Sequence, residues 1–251
     1  MEVDAAVLVD WLARVMWPFA RLGGFLMTMP VIGAATVPRR VRVLLAFTAA
    51  LALAGVVPPP PALSPFSLPG LLGLAEQALL GALLGAAFQI FLHMFSLAGQ
   101  FVAMQMGLGF ASMMDPSAGS TSTVLGQLHV LLVTLLFLAV DGHLLAIGTF
   151  VEWYQRWPTL LGPGPEGLAV LLGLGTWLFD AAVRLALPLV GSLLVVNLAF
   201  GMIARVAPQL NIFSIGFPFM LLMGLVLLVL HVQIVIDGFE RELDAFGLRL
   251  S

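Results

Sequence analysis

The sequence of 251 residues has no cysteine, no lysine and a single tyrosine, and only 9% of its positions are charged. Each shortage excludes something. Without cysteine there is no disulfide framework and no thiolate to act as nucleophile or metal ligand. Ten scattered arginines against thirteen carboxylates leave a net charge of −3, which offers no basic surface to nucleic acid. The chain contains no Gly-x-Ser-x-Gly, no His-Glu-x-x-His and no phosphate-binding glycine loop ending in lysine, the signatures of serine-hydrolase, zinc-protease and nucleotide chemistry. No catalytic residue, metal or cofactor is expected. The start Met1-Glu2-Val3-Asp4 lacks the cationic region of a secretory signal, so no cleaved signal is expected either.

What the chain does have is apolar surface. It is 61% hydrophobic, with a mean hydropathy of +1.11, beyond soluble norms and typical of a protein embedded in lipid. In lipid every backbone polar group must be satisfied within the fold, so the expected class is an all-α integral membrane protein. Six apolar segments can be drawn, at about 5–29, 41–57, 71–114, 125–151, 168–200 and 213–236. Proline and glycine separate them, as in Pro58-Pro59-Pro60-Pro61 and Gly162-Pro163-Gly164-Pro165. Pro18 and Pro188 fall inside helical runs and should kink them. The orientation signal is weak, because Arg39, Arg40, Arg42 and Arg205 favour one side while Arg156, Arg241 and Arg249 oppose it.

The segment 71–114 is the oddest. It runs for about 44 residues, roughly twice what a bilayer core needs, with Glu76 its one formal charge before Asp115. Its second half is interrupted by Gly99, Gln100, Gln105, Gly107 and Gly109 and crowded by Met104, Met106, Met113 and Met114 before Asp115-Pro116 stops it. It reads as a bent helical arm ending in a methionine-rich loop.

Stranded polar residues form a second set. Asp10 and Arg14, and again Asp180 and Arg184, stand four apart with the acid first, the favourable order for a pair on one helical face. Arg21 continues the first stripe. Charges at membrane depth cost at least about 2.5 kcal/mol each and should face protein or water. They read as structural pairs at a subunit contact, with a lumen-facing role as the alternative. Asp141-Gly142-His143 reads as a helix break in which Asp and His cap backbone groups, with a proton relay as the alternative. His93, His129 and His231 have no metal spacing. Gly81 and Gly85 form a small-xxx-small element that lets another helix approach closely.

Three stretches carry a resemblance. The first is Pro30-Val31-Ile32-Gly33 with Val37-Pro38-Arg39-Arg40-Val41-Arg42. The second is Gly99-Gln100, Gln105-Met106-Gly107, Phe110-Ala111 and Asp115-Pro116, then Leu136-Phe137-Leu138 and Asp141-Gly142-His143. The third is Arg205 with Pro208-Gln209-Leu210-Asn211-Ile212-Phe213 and Ile215-Gly216-Phe217-Pro218. In order and spacing these resemble the FliR family of flagellar export-gate proteins, whose injectisome relatives are the SctT proteins. The lack of lysine after Pro218 favours the flagellar branch.

The resemblance implies a two-part fold: a FliP-like part at 1–166 and a FliQ-like helical hairpin with a tail at 167–251. It implies a pore plugged by the loop at about 107–122, with Gly107, Gly109, Phe110, Met113, Met114, Asp115 and Pro116 as plug residues. Unbranched methionine suits an adaptable seal. The implied partners are FliP and FliQ, with FlhB and FlhA, unfolded flagellar export substrates and membrane lipid. The implied location is the bacterial inner membrane at the flagellar basal body. The rival reading from the residues is a proton- or ion-coupled small-solute transporter using Asp141, His143, Asp180 and Arg184, although no repeated halves of the kind such folds show are visible.

Overall fold

Helices account for nearly all of the computed structural model, which describes residues 5–58, 64–108, 123–157, 164–206 and 212–250. Among these residues there is no strand. Among the described residues the helices are α1 (Ala5–Thr28), α2 (Arg39–Leu53), α3 (Leu68–Gln105), α4 (Val124–Ala139), α5 (Gly142–Arg156), α6 (Gly164–Val206) and α7 (Ile212–Leu250). The all-α membrane class therefore stands. Three helices, within Leu68–Gln105, Leu172–Val206 and Gly216–Leu250, are long and apolar enough to cross a membrane, and a fourth span arises if α4 and α5 count together.

The overlong run becomes one continuous helix. α3 has 38 residues, about 57 Å at 1.5 Å per residue. By contrast the apolar segment 125–151 is two helices, α4 and α5, bent by 73° at their junction. The break falls on Asp141, which holds a left-handed φ of 56°. Its carbonyl accepts the N–H groups of Leu144 at 2.8 Å and Leu145 at 3.2 Å, so the new helix starts on main-chain bonds. Pro18, Pro188 and Pro218 all lie inside helices.

The contacts divide the chain into two units, one of Met1–Ile90, Val140–Gly175 and Arg249–Ser251, the other of Phe91–Ala139 and Thr176–Leu248. In the first unit, α1 packs along the early part of α3 through small residues. A Cβ on Gly24 would strike the backbone at Ala78 and Ala82, one on Gly81 the backbone at Arg21, and one on Gly85 the backbone at Phe25 and Met29. The Thr28 hydroxyl donates across this contact to the Ala82 carbonyl at 2.9 Å. Only glycine lets two helix backbones come this near, so Gly81 and Gly85 do act as a packing element. Phe25 then meets Phe88 edge to face and Phe150 at a tilt, at ring separations of 6.3 and 5.1 Å. Phe19 meets Phe47 of α2 edge to face.

In the second unit, α6 and α7 form an antiparallel hairpin. Phe200 contacts Phe219, Leu185 lies where a Cβ on Gly238 would go, and Trp177 reaches Glu242 and Phe246. As one number falls the other rises. The core of this unit is aromatic, with Phe91, Phe95, Trp177, Phe239 and Phe246 in mutual contact at 5.3 to 6.3 Å. Such rings bury large areas and favour offset or edge contacts.

Candidate functional site

The end of α3 approaches the stretch expected to form a plug. Met106 is buried, and its side chain fills the space beside Gly224 of α7. The chain then turns at Gly107, whose φ of +82° is open to glycine but costly for other residues, and where an added Cβ would press on the edge of the Phe217 ring. Backbone bonds from Met106 to Val102 at 3.0 Å, Gly107 to Met104 at 3.1 Å and Leu108 to Ala103 at 3.0 Å close the helix. Gly109, Phe110, Met113, Met114, Asp115 and Pro116 lie outside the described residues. What the structure supplies is a helix end with Met106 buried against Gly224 and a left-handed glycine at 107 that turns the chain beside Phe217.

The ion pairs form, and one of them is larger than its spacing implied. Arg14 Nε donates to Asp10 Oδ2 at 2.9 Å, with both side chains half exposed. Arg184 Nη1 pairs with Asp180. Its Nη2 also donates to Glu242 Oε1 at 3.3 Å, across the hairpin. The other oxygen of Glu242 accepts the Trp177 indole N–H at 3.1 Å. Glu242 is only 4% exposed, and a buried carboxylate stays tolerable when such donors serve both oxygens. One guanidinium thus serves two carboxylates.

Arg21 separates from the exposed pair that precedes it on α1. It is buried in the first unit, where Nη2 donates to the Trp157 carbonyl at 2.7 Å and the guanidinium lies 4.4 Å from the centre of the Tyr154 ring. A cation at the carboxyl end of α5 is favourably placed against the helix dipole, and stacking on tyrosine adds a second attraction. Arg42 plays a comparable local role. Its Nη2 binds the Ala34 carbonyl at 2.5 Å and the Val37 carbonyl at 2.8 Å, which fixes the turn that leads into α2.

Asp141 makes no side-chain capping bond. The expectation that its carboxylate caps the helix is corrected: the left-handed backbone alone turns the chain, because the Asp141 carbonyl is already aimed at Leu144 and Leu145. His143 Nδ1 is buried without a partner. His129 Nδ1 lies 2.8 Å from the Leu125 carbonyl, and His129 lines an apolar pocket with His231 among leucine and valine side chains. Among the described residues no three His, Cys, Asp or Glu side chains are grouped to hold a metal ion.

Sequence reasoning had no means of finding Trp177 or Glu242, since their meeting depends on hairpin register. Glu242 stands in the charged run Asp237-Gly238-Phe239-Glu240-Arg241-Glu242-Leu243-Asp244, so nothing in the sequence singled it out.

Comparison with known proteins gives a consistent result. The profile of the bacterial export proteins, family 1, matches residues 12–246. The flagellar biosynthetic protein FliR of Escherichia coli (strain K12) is 35% identical over 231 residues, covering 91% of this chain and 87% of that protein. FliR of Pectobacterium carotovorum subsp. carotovorum is 34% identical with the same coverage. FliR of Caulobacter vibrioides is 33% identical over 234 residues, covering 91% and 93%.

Proposed function

The chain belongs to the FliR family, family 1 of the bacterial export proteins, and from that premise we propose that it is a non-enzymatic subunit of the flagellar type III export gate. In this reading it helps to form the conduit through which unfolded flagellar proteins leave the cytoplasm, in the inner membrane at the flagellar basal body. Its companions are FliP and FliQ, with FlhB and FlhA. Residues 1–166 act as the FliP-like part and 167–251 as the FliQ-like part. Energy comes from partners and from the proton-motive force.

One observation carries the reading furthest: the α3 terminus at Met106 and Gly107, anchored against Gly224 and Phe217. A plug needs a fixed base at the wall of the pore. A helix of 38 residues, followed at 107 by a left-handed glycine that redirects the chain, supplies one. The methionines beyond it, Met113 and Met114, have the unbranched side chains that repack around varied cargo.

The test is to shorten the stretch between Gly107 and Ser122 in cells that depend on this protein for motility. Ion leakage across the membrane with the gate still assembled is the expected result. Intact membrane resistance, in a background where the partner subunits hold the gate open, would overturn the plug. Recovery of the protein in mild detergent as a solitary monomer would overturn the subunit role itself.

A further inference from the structure

Two buried histidines of the second unit face one cavity. His129 on α4 and His231 on α7 are each 4% exposed, and with Leu128, Leu132, Leu228 and Val235 they line a space of about 40 Å³. A neutral imidazole carries one N–H and one lone pair. In both rings the N–H is already committed to the main chain. His129 Nδ1 lies 2.8 Å from the Leu125 carbonyl, and because a carbonyl only accepts, Nδ1 holds the proton. α3 shuts that edge in, since a Cβ on Gly99 would come within 2.8 Å of the same nitrogen. His231 is hydrogen-bonded to the main chain at Leu185 of α6. Each ring is left with an acceptor nitrogen.

Two acceptors cannot bond to each other, and leucine and valine have nothing to donate. Leaving both unserved in an apolar interior is unfavourable. The group that serves them must therefore donate twice or carry positive charge. Charge is the poorer choice, because among the described residues no carboxylate lines the cavity. The charged groups that flank it along the chain are engaged elsewhere: Arg184, next to Leu185, holds Asp180 and Glu242, and Asp237 on α7 accepts from Gln233 at the surface. A metal ion or a shared proton would lie there uncompensated, which costs far more than burying a neutral donor. Water is neutral, donates twice and needs only about 10–15 Å³.

We propose that this cavity binds a single water molecule, which donates one hydrogen to His129 and the other to His231 and so ties α4 to α7. A second water would find only apolar side chains around the first, which fixes the number at one. The inference concerns the interior of the second unit and is independent of the export-gate reading.

The test uses the full-length protein in mild detergent with isotope-labelled histidine, the signals of His93 and His143 being removed by His93→Gln and His143→Gln. Both remaining rings are expected to be neutral, each with a nuclear Overhauser cross-peak between water and a carbon-bound ring proton. Rings without that cross-peak, or a scalar coupling between the two rings that reports a direct nitrogen-to-nitrogen bond, would overturn the proposal. Substitution gives a second readout. His129→Leu and His231→Leu each leave one acceptor and a poorly held water, so each lowers the unfolding midpoint by several degrees; the double variant, apolar throughout, recovers more than half of the summed loss. Additive losses overturn the bridge. So does a rise in midpoint with zinc that the double variant abolishes, because it assigns the pair to a metal ion.

Discussion

Gly81 of α3 lies directly under the main-chain carbonyl of Arg21 on α1, so close that a methyl group there would overlap the oxygen. The contact is backbone against backbone, and no rotamer change can relieve it. Gly81→Ala is expected to destabilise the protein by about 1–3 kcal/mol, the usual cost of overpacking. Gly23→Ala is the matched control, because its Cβ meets nothing within 4 Å and helix propensity favours alanine by up to about 1 kcal/mol. Thermal unfolding in detergent should show the two variants moving in opposite directions. Equal melting temperatures would mean that α1 and α3 do not cross here.

The buried carboxylate of the hairpin makes a second expectation. Glu242→Leu removes the carboxylate that accepts the Trp177 indole N–H and one of the two anions held by Arg184. Losing a hydrogen bond to a charged group costs about 1.5–3 kcal/mol. Glu242→Gln keeps an acceptor for Trp177 and should lose less. If Leu and Gln variants unfold together, the indole bond contributes nothing measurable.

Gly107 is the position where strain should reach function. Its φ of +82° excludes β-branched residues at a cost of about 1–2 kcal/mol, and the Phe217 ring at 3.2 Å from a built Cβ leaves little room. Gly107→Val should leave the helices folded, as read by circular dichroism, while motility falls and ion leakage rises. Wild-type motility in that variant would show that the path of the chain after α3 does not matter to the gate.

Val31 is strained in the wild type. It holds φ at 69°, a region that β-branched residues rarely occupy. Val31→Gly relieves that strain and should raise stability by about 1 kcal/mol, less the backbone entropy glycine adds to the unfolded chain. Strain of this kind is kept where it serves a function. The informative measurement is therefore a pair, melting temperature up and swarming diameter down; a gain in both would make Val31 merely suboptimal.

Local spacing was legible in the sequence, and register was not. Asp10 with Arg14, and Asp180 with Arg184, follow from helical periodicity alone. Glu242 joins the second pair from 58 residues away, which depends on how α6 and α7 are matched along the hairpin. Gly81 and Gly85 announced a close approach, but the sequence did not say that α1 makes it, since any apolar helix would satisfy the motif. The helix break at Asp141-Gly142-His143 was visible as composition. Its mechanism was not, because an aspartate before a helix ordinarily caps with its side chain, and here a left-handed backbone takes over. The interruptions in 71–114 were read as a bend, yet α3 runs unbroken to Gln105 because glycines and glutamines inside a packed helix are held by neighbours such as His129 and Gly126 beside Gly99.

The two units are not contiguous in the chain, and this bears on how the protein is made. Residues up to Ile90 belong with Val140–Gly175, whereas the 91–139 stretch between them belongs elsewhere. A ribosome adding about 5–20 residues per second needs several seconds to deliver α5 after α3 has begun to emerge. During that interval the face of Phe25 that later meets Phe150 lacks that cover. The tight glycine contact between α1 and α3 can form early, from residues already synthesised. It gives the nascent chain a local structure that holds two apolar helices together until their third partner arrives, which makes Gly24, Gly81 and Gly85 determinants of yield during biosynthesis as well as of the finished fold.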